Sequence, residues 1–190
     1  MRIALVAAAL LSVAVLPAEA QMRTDPAVIA EQKAAIAKLA KLHGEWRGTA
    51  TITSPAGTIK LVQTERTGPM LDGTALVIEG RGYDEAGKLV FNAFAVISYD
   101  AATNQYAMNS WTDGRAGKFP FAVTDTGFEW SIPVPNGATI KYAATIVDGK
   151  WTEVGSYVGA GMPPVEFAKL EVARIGDTDW PAAGFVTAKP

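Results

Sequence analysis

The sequence predicts an all-β protein, a closed antiparallel up-and-down β-barrel of about ten strands preceded by one N-terminal α-helix. Three observations predict it. After Gly44 the apolar residues change from a helical spacing to a period of two. Turn sequences typical of hairpins, such as "PNG" and "VDGK", separate the apolar segments, and no helical pattern interrupts them. Closure removes the exposed edges of so long a meander, and the short connections disfavour the alternative, a two-sheet sandwich.

The first residues have the features of a bacterial secretory signal. Arg2 supplies a positive charge, an apolar run follows, and Ala18-Glu19-Ala20 forms a small-x-small cleavage site. The apolar run is shorter than the roughly 20 residues of a membrane-spanning helix, which favours cleavage over a retained anchor. We therefore expect residues 1–20 to be removed near Ala20 and the mature protein to be periplasmic or secreted.

The remainder of the chain is expected to form one domain. Residues 21–43 are assigned to an amphipathic helix, residues 44–176 to the barrel and residues 177–190 to a C-terminal tail. The net charge of -2 and the absence of a basic run give no footprint for nucleic acid, and no later segment is apolar enough to span a bilayer. A hydrophobic fraction of 49% predicts a large interior, or an apolar surface that something covers. The oligomeric state is left open.

The helix begins at Asp25-Pro26, because Asp is a favoured N-cap and Pro a favoured first helical residue. Ile29, Ile36, Leu39 and Leu42 then lie near one face at helical spacing. Gly44 is expected to end the helix directly before the first strand.

Ten strands follow from the period-two pattern and the turn signals between them. They are expected at roughly 45–53, 58–67, 74–82, 88–99, 105–112, 118–124, 127–133, 138–148, 150–158 and 165–175. The fourth, "KLVFNAFAVISY", is apolar on both faces, so one face is expected to line the barrel and the other to need a cover. The N-terminal helix is the favoured cover, and a partner subunit is the alternative.

Barrel closure is expected to bring Trp46 and Arg174 together. In a barrel with an even number of up-and-down strands, the first strand begins and the last strand ends at the same rim. Leu170, Val172 and Arg174 share one parity, so the arginine faces inward if the other two do. We predict a cation–π contact between the Arg174 guanidinium and the Trp46 ring, worth about 0.5–2 kcal/mol.

A Gly-x-Trp that opens the first strand, with a basic residue near the end of the last, resembles the lipocalin and calycin superfamily. The stretches "GEWRG", "TER", "ISYDAATNQYAMNSWTDG" and "FAKLEVARI", within Leu42 to Ile175, are similar to an uncharacterised bacterial domain-of-unknown-function family with a lipocalin-like barrel. The positions that fit its pattern are Gly44, Trp46, Gly48, Glu65, Tyr99, Asp100, Tyr106, Trp111, Asp113 and Arg174. The resemblance implies a barrel and carries over no catalytic residue. Lys169 stands where an acidic residue is expected, so if it faces Glu65 inside the barrel, the polarity of the pocket differs from that of such relatives.

Glu65 is the main candidate for a functional side chain. It shares parity with Ile59 and Leu61, so its carboxylate points inward if they do. A carboxylate in an apolar barrel has a raised pKa, and such a group can anchor a ligand or act as a general acid or base. Glu153, on the parity of Trp151, has the same options. Structural pairing or a solvated rim position remains the alternative for both.

Aromatic and polar side chains elsewhere on the strands could line a cavity, and small-molecule pockets usually enclose about 300–1,000 Å³. They could equally fill the barrel. With the two glutamates they make up the candidate ligand-binding set: Glu65, Asn92, Phe94, Tyr106, Met108, Trp130, Tyr142, Glu153 and Tyr157.

His43 is the chain's single histidine and lies between the helix and the first strand. Haem-binding barrels such as the nitrobindins open with a similar strand, but their axial histidine comes late in the chain, where this sequence has none. His43 is more simply a polar group near the helix carbonyls. There is no cysteine, histidine pair or acidic cluster of calcium type, so neither a metal nor a cofactor is expected.

These observations favour an exported lipocalin-like barrel that binds a small apolar or amphiphilic molecule. One alternative is a barrel enzyme, an isomerase or hydrolase, that uses Glu65 or Glu153 as general acid or base. The other is an envelope interaction protein whose barrel is filled. Binding is favoured over catalysis because no phosphate-binding loop, dinucleotide fingerprint or Gly-x-Ser-x-Gly motif is present.

Overall fold

The protein is a closed barrel of ten antiparallel strands, seen in a computed structural model that describes residues 25–181. Each strand pairs with the next along the chain, and β1 pairs with β10 to close the ring. The fold class predicted from the sequence is confirmed, and the sandwich alternative is excluded. The expected signal at residues 1–20 lies outside the described residues. Within the described range, no helix is both long and apolar enough to cross a membrane.

The strands match the period-two segments of the sequence closely. They are β1 Gly44–Ser54, β2 Gly57–Met70, β3 Ala75–Tyr83, β4 Leu89–Asp100, β5 Gln105–Thr112, β6 Arg115–Val123, β7 Gly127–Pro133, β8 Thr139–Val147, β9 Lys150–Val158 and β10 Val165–Gly176.

The helix α1 spans Pro26–Ala37 and is shorter than the helix predicted from the sequence. Its expected start is confirmed, since the Asp25 side chain accepts a hydrogen bond of 2.9 Å from the Ala27 N–H. A 3₁₀ turn at Ala40–Leu42 then replaces the expected last helical turn. The change of direction brings the chain to Gly44, whose φ of +126° suits glycine.

The helix and the 3₁₀ turn together form a plug (residues 26–42) across one mouth of the barrel. Leu39 and Leu42 are fully buried, and they pack in one core with lumen-facing side chains such as Trp46 and Ile97. The Tyr106 hydroxyl donates a hydrogen bond of 2.9 Å to the carbonyl of Ala35 in the helix. The plug therefore closes this mouth with both apolar and polar contacts.

The expectation that the helix covers the outer face of β4 is wrong, because the helix lies at the mouth instead. The outer face of β4 packs partly against the C-terminal tail. The Trp180 ring makes an edge-to-face contact with Phe94 at 6.4 Å between centroids. The Arg66 guanidinium lies 4.7 Å from the centroid of the same indole, a cation–π distance.

Leu39→Ala should lower the free energy of unfolding by about 2–5 kcal/mol, because it leaves a cavity where the plug meets the core. Leu89→Ala is the matched control, since Leu89 is 44% exposed on β4 and its loss should cost less than about 1 kcal/mol. Denaturant unfolding of both variants measures the difference. Equal costs would show that the plug contributes little to the stability of the barrel.

Candidate functional site

The candidate site lies in the lumen, the interior of the barrel, and Glu65 on β2 is its most buried charged group. The side chain faces inward as predicted and is 8% exposed. It lies over Gly80 on the neighbouring strand β3, where a Cβ atom would be only 2.8 Å from Oε2 of the glutamate. Glycine at position 80 therefore leaves the space in which the carboxylate sits.

One hydrogen bond holds the Glu65 carboxylate. Gln63, two residues earlier on the same face of β2, donates from Nε2 to Oε1 of Glu65 at 2.7 Å. The second oxygen of Glu65 accepts no hydrogen bond from the described residues. Gln63 is itself 3% exposed and lies over Gly82 in the same way as Glu65 lies over Gly80.

Burial raises the pKa of Glu65 to about 8. Loss of solvation is the main cause, and the Gln63 hydrogen bond offsets part of it by favouring the charged form. Repulsion from Glu153, and less so from Glu79, raises the pKa further. At neutral pH the Glu65 carboxyl group is therefore mostly protonated, and it loses its proton as the pH rises through about 8.

Glu153 on β9 is the second carboxylate of the lumen. Trp130 donates a hydrogen bond of 2.8 Å from Nε1 to Oε1 of Glu153. Burial raises the pKa of Glu153, while the Trp130 bond and the nearby Trp151 indole N–H oppose that rise. The Trp151 indole N–H lies close enough to favour the charged form of Glu153 but does not reach hydrogen-bond geometry. This N–H is buried and has no hydrogen-bond partner among the described groups.

Glu153 keeps some accessible surface although protein atoms surround it closely. It faces the lumen, because it pairs in register with Ala144 and Leu170 and shares parity with the buried Trp151. Its strand β9 is hydrogen-bonded on both edges. The accessible surface of Glu153 therefore faces the interior of the barrel, which leaves room beside it for at least a water molecule.

Aromatic rings form the wall beside Glu153. The rings of Trp130 and Tyr142 stack in parallel, with centroids 4.1 Å apart and planes 4° apart. Phe119 and Phe167 make tilted and edge-on contacts with this pair at 5.8 and 6.1 Å. Burial and the Glu153 charge raise the pKa of Tyr142 to about 12, so its hydroxyl stays a neutral donor. The Tyr142 ring lies over Gly155, as Glu65 lies over Gly80.

The described part of the lumen contains no cation that pairs with either glutamate. Arg115 and Arg174 have inward parity, but they lie at opposite ends of the barrel. Arg115 is exposed and 3.8 Å from Asp113, and Arg174 pairs with Asp177. Within residues 25–181 there is also no group of three or more side chains suited to a metal ion. The site is two acids in an otherwise uncharged interior.

The cross-strand register decides which predicted residues share this interior. Tyr106, Met108, Trp130, Tyr142 and Tyr157 face inward with the two glutamates. Asn92 and Phe94 face outward, because their paired neighbours Arg81 and Glu79 lie on the outer wall. The expectation that Asn92 and Phe94 line the interior is therefore wrong.

The idea that Lys169 faces Glu65 is also wrong. Lys169 lies on the outer wall of β10, where it forms an ion pair of 2.8 Å with Glu171. The acidic neighbour of Glu65 in the lumen is Glu153, so the departure at position 169 leaves the polarity of the interior unchanged.

At the plugged mouth, Arg174 lies opposite Trp46 in the ladder between β10 and β1. Its guanidinium does not rest on the indole, and instead donates a hydrogen bond of 3.0 Å to the carbonyl of His43 and pairs with Asp177. Among the described residues, the cation–π contact is the one between Arg66 and Trp180. Burial, together with Arg174, lowers the pKa of His43 and keeps it neutral.

Sequence reasoning missed three residues that shape the site. Gln63 and Trp151 share parity with the glutamates, and that alternation was the signal that could have included them. Gly80 gave no such signal, because its role depends on which side chain lies across from it in the ladder.

Two open grooves lie at the surface of the barrel. One has a volume of about 380 Å³ and lies between β4, β5 and β6, with Phe94, Trp111 and Arg115 in its wall. The other has a volume of about 510 Å³ and lies beside the plug, lined by residues such as Lys38, Lys41 and Tyr106. Neither groove contains Glu65 or Glu153.

No family model matches the sequence. No curated protein matches it either. Among solved structures, the chain is similar to the crystal structure of Rv2717c from M. tuberculosis, with a TM-score of 0.56 and 12% sequence identity. The match covers 74% of this chain and 97% of that chain. At this identity the likeness shows the fold alone.

Glu65 should make the protein less stable as the pH rises from about 4.5 to about 8. A pKa raised from 4.5 to about 8 means that the folded state keeps a proton that the unfolded state releases in this window. The contribution of Glu65 to the free energy of unfolding is thus complete below pH 4.5 and is lost as the pH rises to about 8. In between, that free energy should fall by on the order of 1 kcal/mol per pH unit.

Denaturant unfolding between these two pH values measures the slope. Glu65→Gln should flatten it, whereas Glu171→Gln, on the exposed outer wall of β10, should leave it as in the unmodified protein. The same slope in all three proteins would show that the Glu65 pKa is not raised.

Proposed function

We propose that the protein binds a small amphiphilic molecule in its lumen, with the polar end of the ligand at Glu65 and Glu153. The observation that carries the proposal is a pair of carboxylates inside an apolar barrel that is plugged at one mouth. A polar group deep in an apolar pocket fixes the orientation of a ligand, while the apolar wall supplies most of the affinity. The accessible surface of Glu153 supports free space at this depth.

The direction of entry follows from the plug. Leu39, Leu42 and Trp46 seal the barrel below the glutamates. The opposite ends of β1 and β2, around Ile52 and Ile59, are exposed. A ligand that enters at this open mouth places its polar end at the glutamates and its apolar part toward the mouth, along a wall that includes Ala50, Gly82 and Ala93.

Several large lumen side chains lie along the wall rather than across the axis. Glu65 lies over Gly80, Phe119 over Gly117 and Tyr142 over Gly155. Each of these glycines accommodates a side chain that would otherwise project toward the centre of the barrel. This arrangement supports a lumen that accepts a narrow ligand.

Export is part of the proposal. The signal features of residues 1–20 support a location of the barrel in the periplasm or outside the cell. N-terminal sequencing of the protein from a bacterial periplasmic fraction should find Gln21 as the first residue. A protein that retains Met1 and stays in the cytoplasm would contradict this part of the proposal.

Native mass spectrometry of the purified protein tests the binding function directly. The protein should carry a co-purified small molecule that denaturation releases. The lumen should also take up an uncharged fluorescent amphiphile in competition with that molecule. A protein that is empty in native spectra, and that binds no amphiphile at any pH, would contradict the proposal.

The raised pKa of Glu65 also favours one second function, general acid–base catalysis on a small hydrophobic substrate. Glu65→Gln separates the two functions, with Glu171→Gln as the matched control. If the protein is a binder, Glu65→Gln should change affinity for the co-purified molecule by about tenfold and leave that molecule chemically unaltered. Conversion of the molecule by the unmodified protein, lost in Glu65→Gln, would establish the enzyme instead.

A further inference from the structure

We infer that the polar end of the ligand is a protonated amine, so that the lumen is a site for small amphiphilic organic cations. This inference rests on the proposed binding function and adds the chemical class of the ligand. It follows from the charges, the hydrogen-bond donors and the aromatic rings around the two glutamates.

The first argument is the charge of the lumen. Glu153 opposes the ionisation of Glu65, and neither carboxyl group takes part in an ion pair within the described residues. Buried carboxylates are costly unless a positive charge accompanies them. The two arginines with inward parity pair with Asp113 and Asp177 at the ends of the barrel. A cationic ligand would supply the missing charge.

The second argument is that the donors around Glu153 suit its ionised form. Trp130 donates a hydrogen bond to it, and Trp151, 3% exposed and without a partner, directs its N–H toward the same carboxylate. Neutral donors favour a carboxylate but do not cancel its charge. The second oxygen of Glu65, a group more than nine-tenths buried, also has no donor in the described structure. An ammonium group has three N–H donors to offer to these oxygens.

The third argument is the aromatic wall. Trp130 and Tyr142 stack beside Glu153, and Phe167 lies edge-on to the tyrosine. The two stacked rings cover one face of each other and the Tyr142 ring lies over Gly155, so they form an apolar wall that suits the alkyl part of an organic cation. An acidic site with an apolar wall favours an organic cation over an anionic ligand such as a fatty acid, whose carboxylate would oppose the ionisation of both glutamates.

Binding should displace the Glu65 proton. With a pKa near 8, Glu65 carries a proton at neutral pH, and an ammonium group beside it favours the ionised form. The other charged groups near Glu65 are Glu153 on β9 and Glu79 on β3, both acidic, so they oppose its ionisation until the ligand arrives. Each ligand bound below about pH 8 therefore releases up to one proton, which makes affinity rise with pH.

Three ligands that share a ten-carbon chain test the inference: decylamine, decanol and decanoic acid, each below its micelle-forming concentration. Quenching or enhancement of the intrinsic tryptophan fluorescence reports binding, since Trp130 and Trp151 lie beside the glutamates. Decylamine should bind at least about tenfold more tightly than decanol, and decanoic acid more weakly than both. The decylamine affinity should rise by up to about tenfold per pH unit from pH 6 to pH 8.

The variants Glu153→Gln and Glu65→Gln/Glu153→Gln should remove the preference for the amine and keep decanol binding. Glu171→Gln should behave as the unmodified protein. Near-ultraviolet circular dichroism checks that each variant keeps its packed aromatic core. Loss of a buried charge does not threaten folding here, because an amide of the same shape needs less solvation than a carboxylate.

The outcomes separate this inference from the proposed function. If decanol or decanoic acid binds as tightly as decylamine, the barrel is a binder of amphiphiles and the inference about the amine is wrong. If none of the three binds, both fall. If calcium chloride alone changes the tryptophan fluorescence as much as decylamine does, the site needs no alkyl chain and the organic-cation inference is also wrong.

Discussion

The closed end of the barrel depends on one carbonyl oxygen, that of Leu42. It accepts a hydrogen bond of 2.8 Å from the Trp46 indole on β1 and another from the Thr67 hydroxyl on β2. All three residues are almost completely buried. A carbonyl left without partners at this depth would be costly, so the two donors fix both the end of the plug and the start of the first strand. The Gly-x-Trp sequence therefore ties a helix to the barrel that it closes.

The interior next to the plugged mouth is apolar, and the two glutamates follow further along the barrel axis. Next to the plug, Trp46, Phe128 and Trp151 make edge-to-face contacts, with centroids 5.8 Å apart in both pairs. This layer is solid, apolar and distant from solvent. Glu65 pairs in register with Trp46, and Glu153 lies two residues beyond Trp151 on β9, so both glutamates border this layer. The buried aromatic layer lies between the plug and the glutamates, and burial is the main cause of their raised pKa values.

The ten strands could be predicted from the sequence because alternation and turn chemistry are local properties. The inward direction of Glu65 followed in the same way, from its parity with Leu61. Strand β4 shows where this reasoning stops. Both of its faces are apolar, so parity grouped Asn92 with Phe94 correctly but could not tell which face turned inward. Only the pairing of Phe94 with Glu79, an outer residue held by Arg66 and Arg81, decides the matter.

Contacts between distant parts of the chain were harder to predict for a physical reason. The sequence predicted that Arg174 lies opposite Trp46, and the pairing of β1 with β10 confirms it. The guanidinium instead binds the His43 carbonyl and the Asp177 carboxylate, because charge-assisted hydrogen bonds are stronger than a contact with the indole. The cation–π contact forms elsewhere, between Arg66 and Trp180, because the tail passes so close to Gly68 that a Cβ there would lie 2.1 Å from the Trp180 carbonyl oxygen. Such choices among competing partners depend on the three-dimensional path of the loops and tails.

The arrangement around Glu65 differs from what structural stability alone would favour. A polar network that serves only to hold a fold is expected to satisfy each of its groups. Here Gly80 makes room for a carboxylate, Gln63 gives it one hydrogen bond, and its second oxygen receives none from the described residues. An apolar side chain of similar size would avoid both the desolvation and the repulsion from Glu153. The wall is thus shaped around an acid that the barrel buries without a countercharge, and the proposed ligand would complete that arrangement.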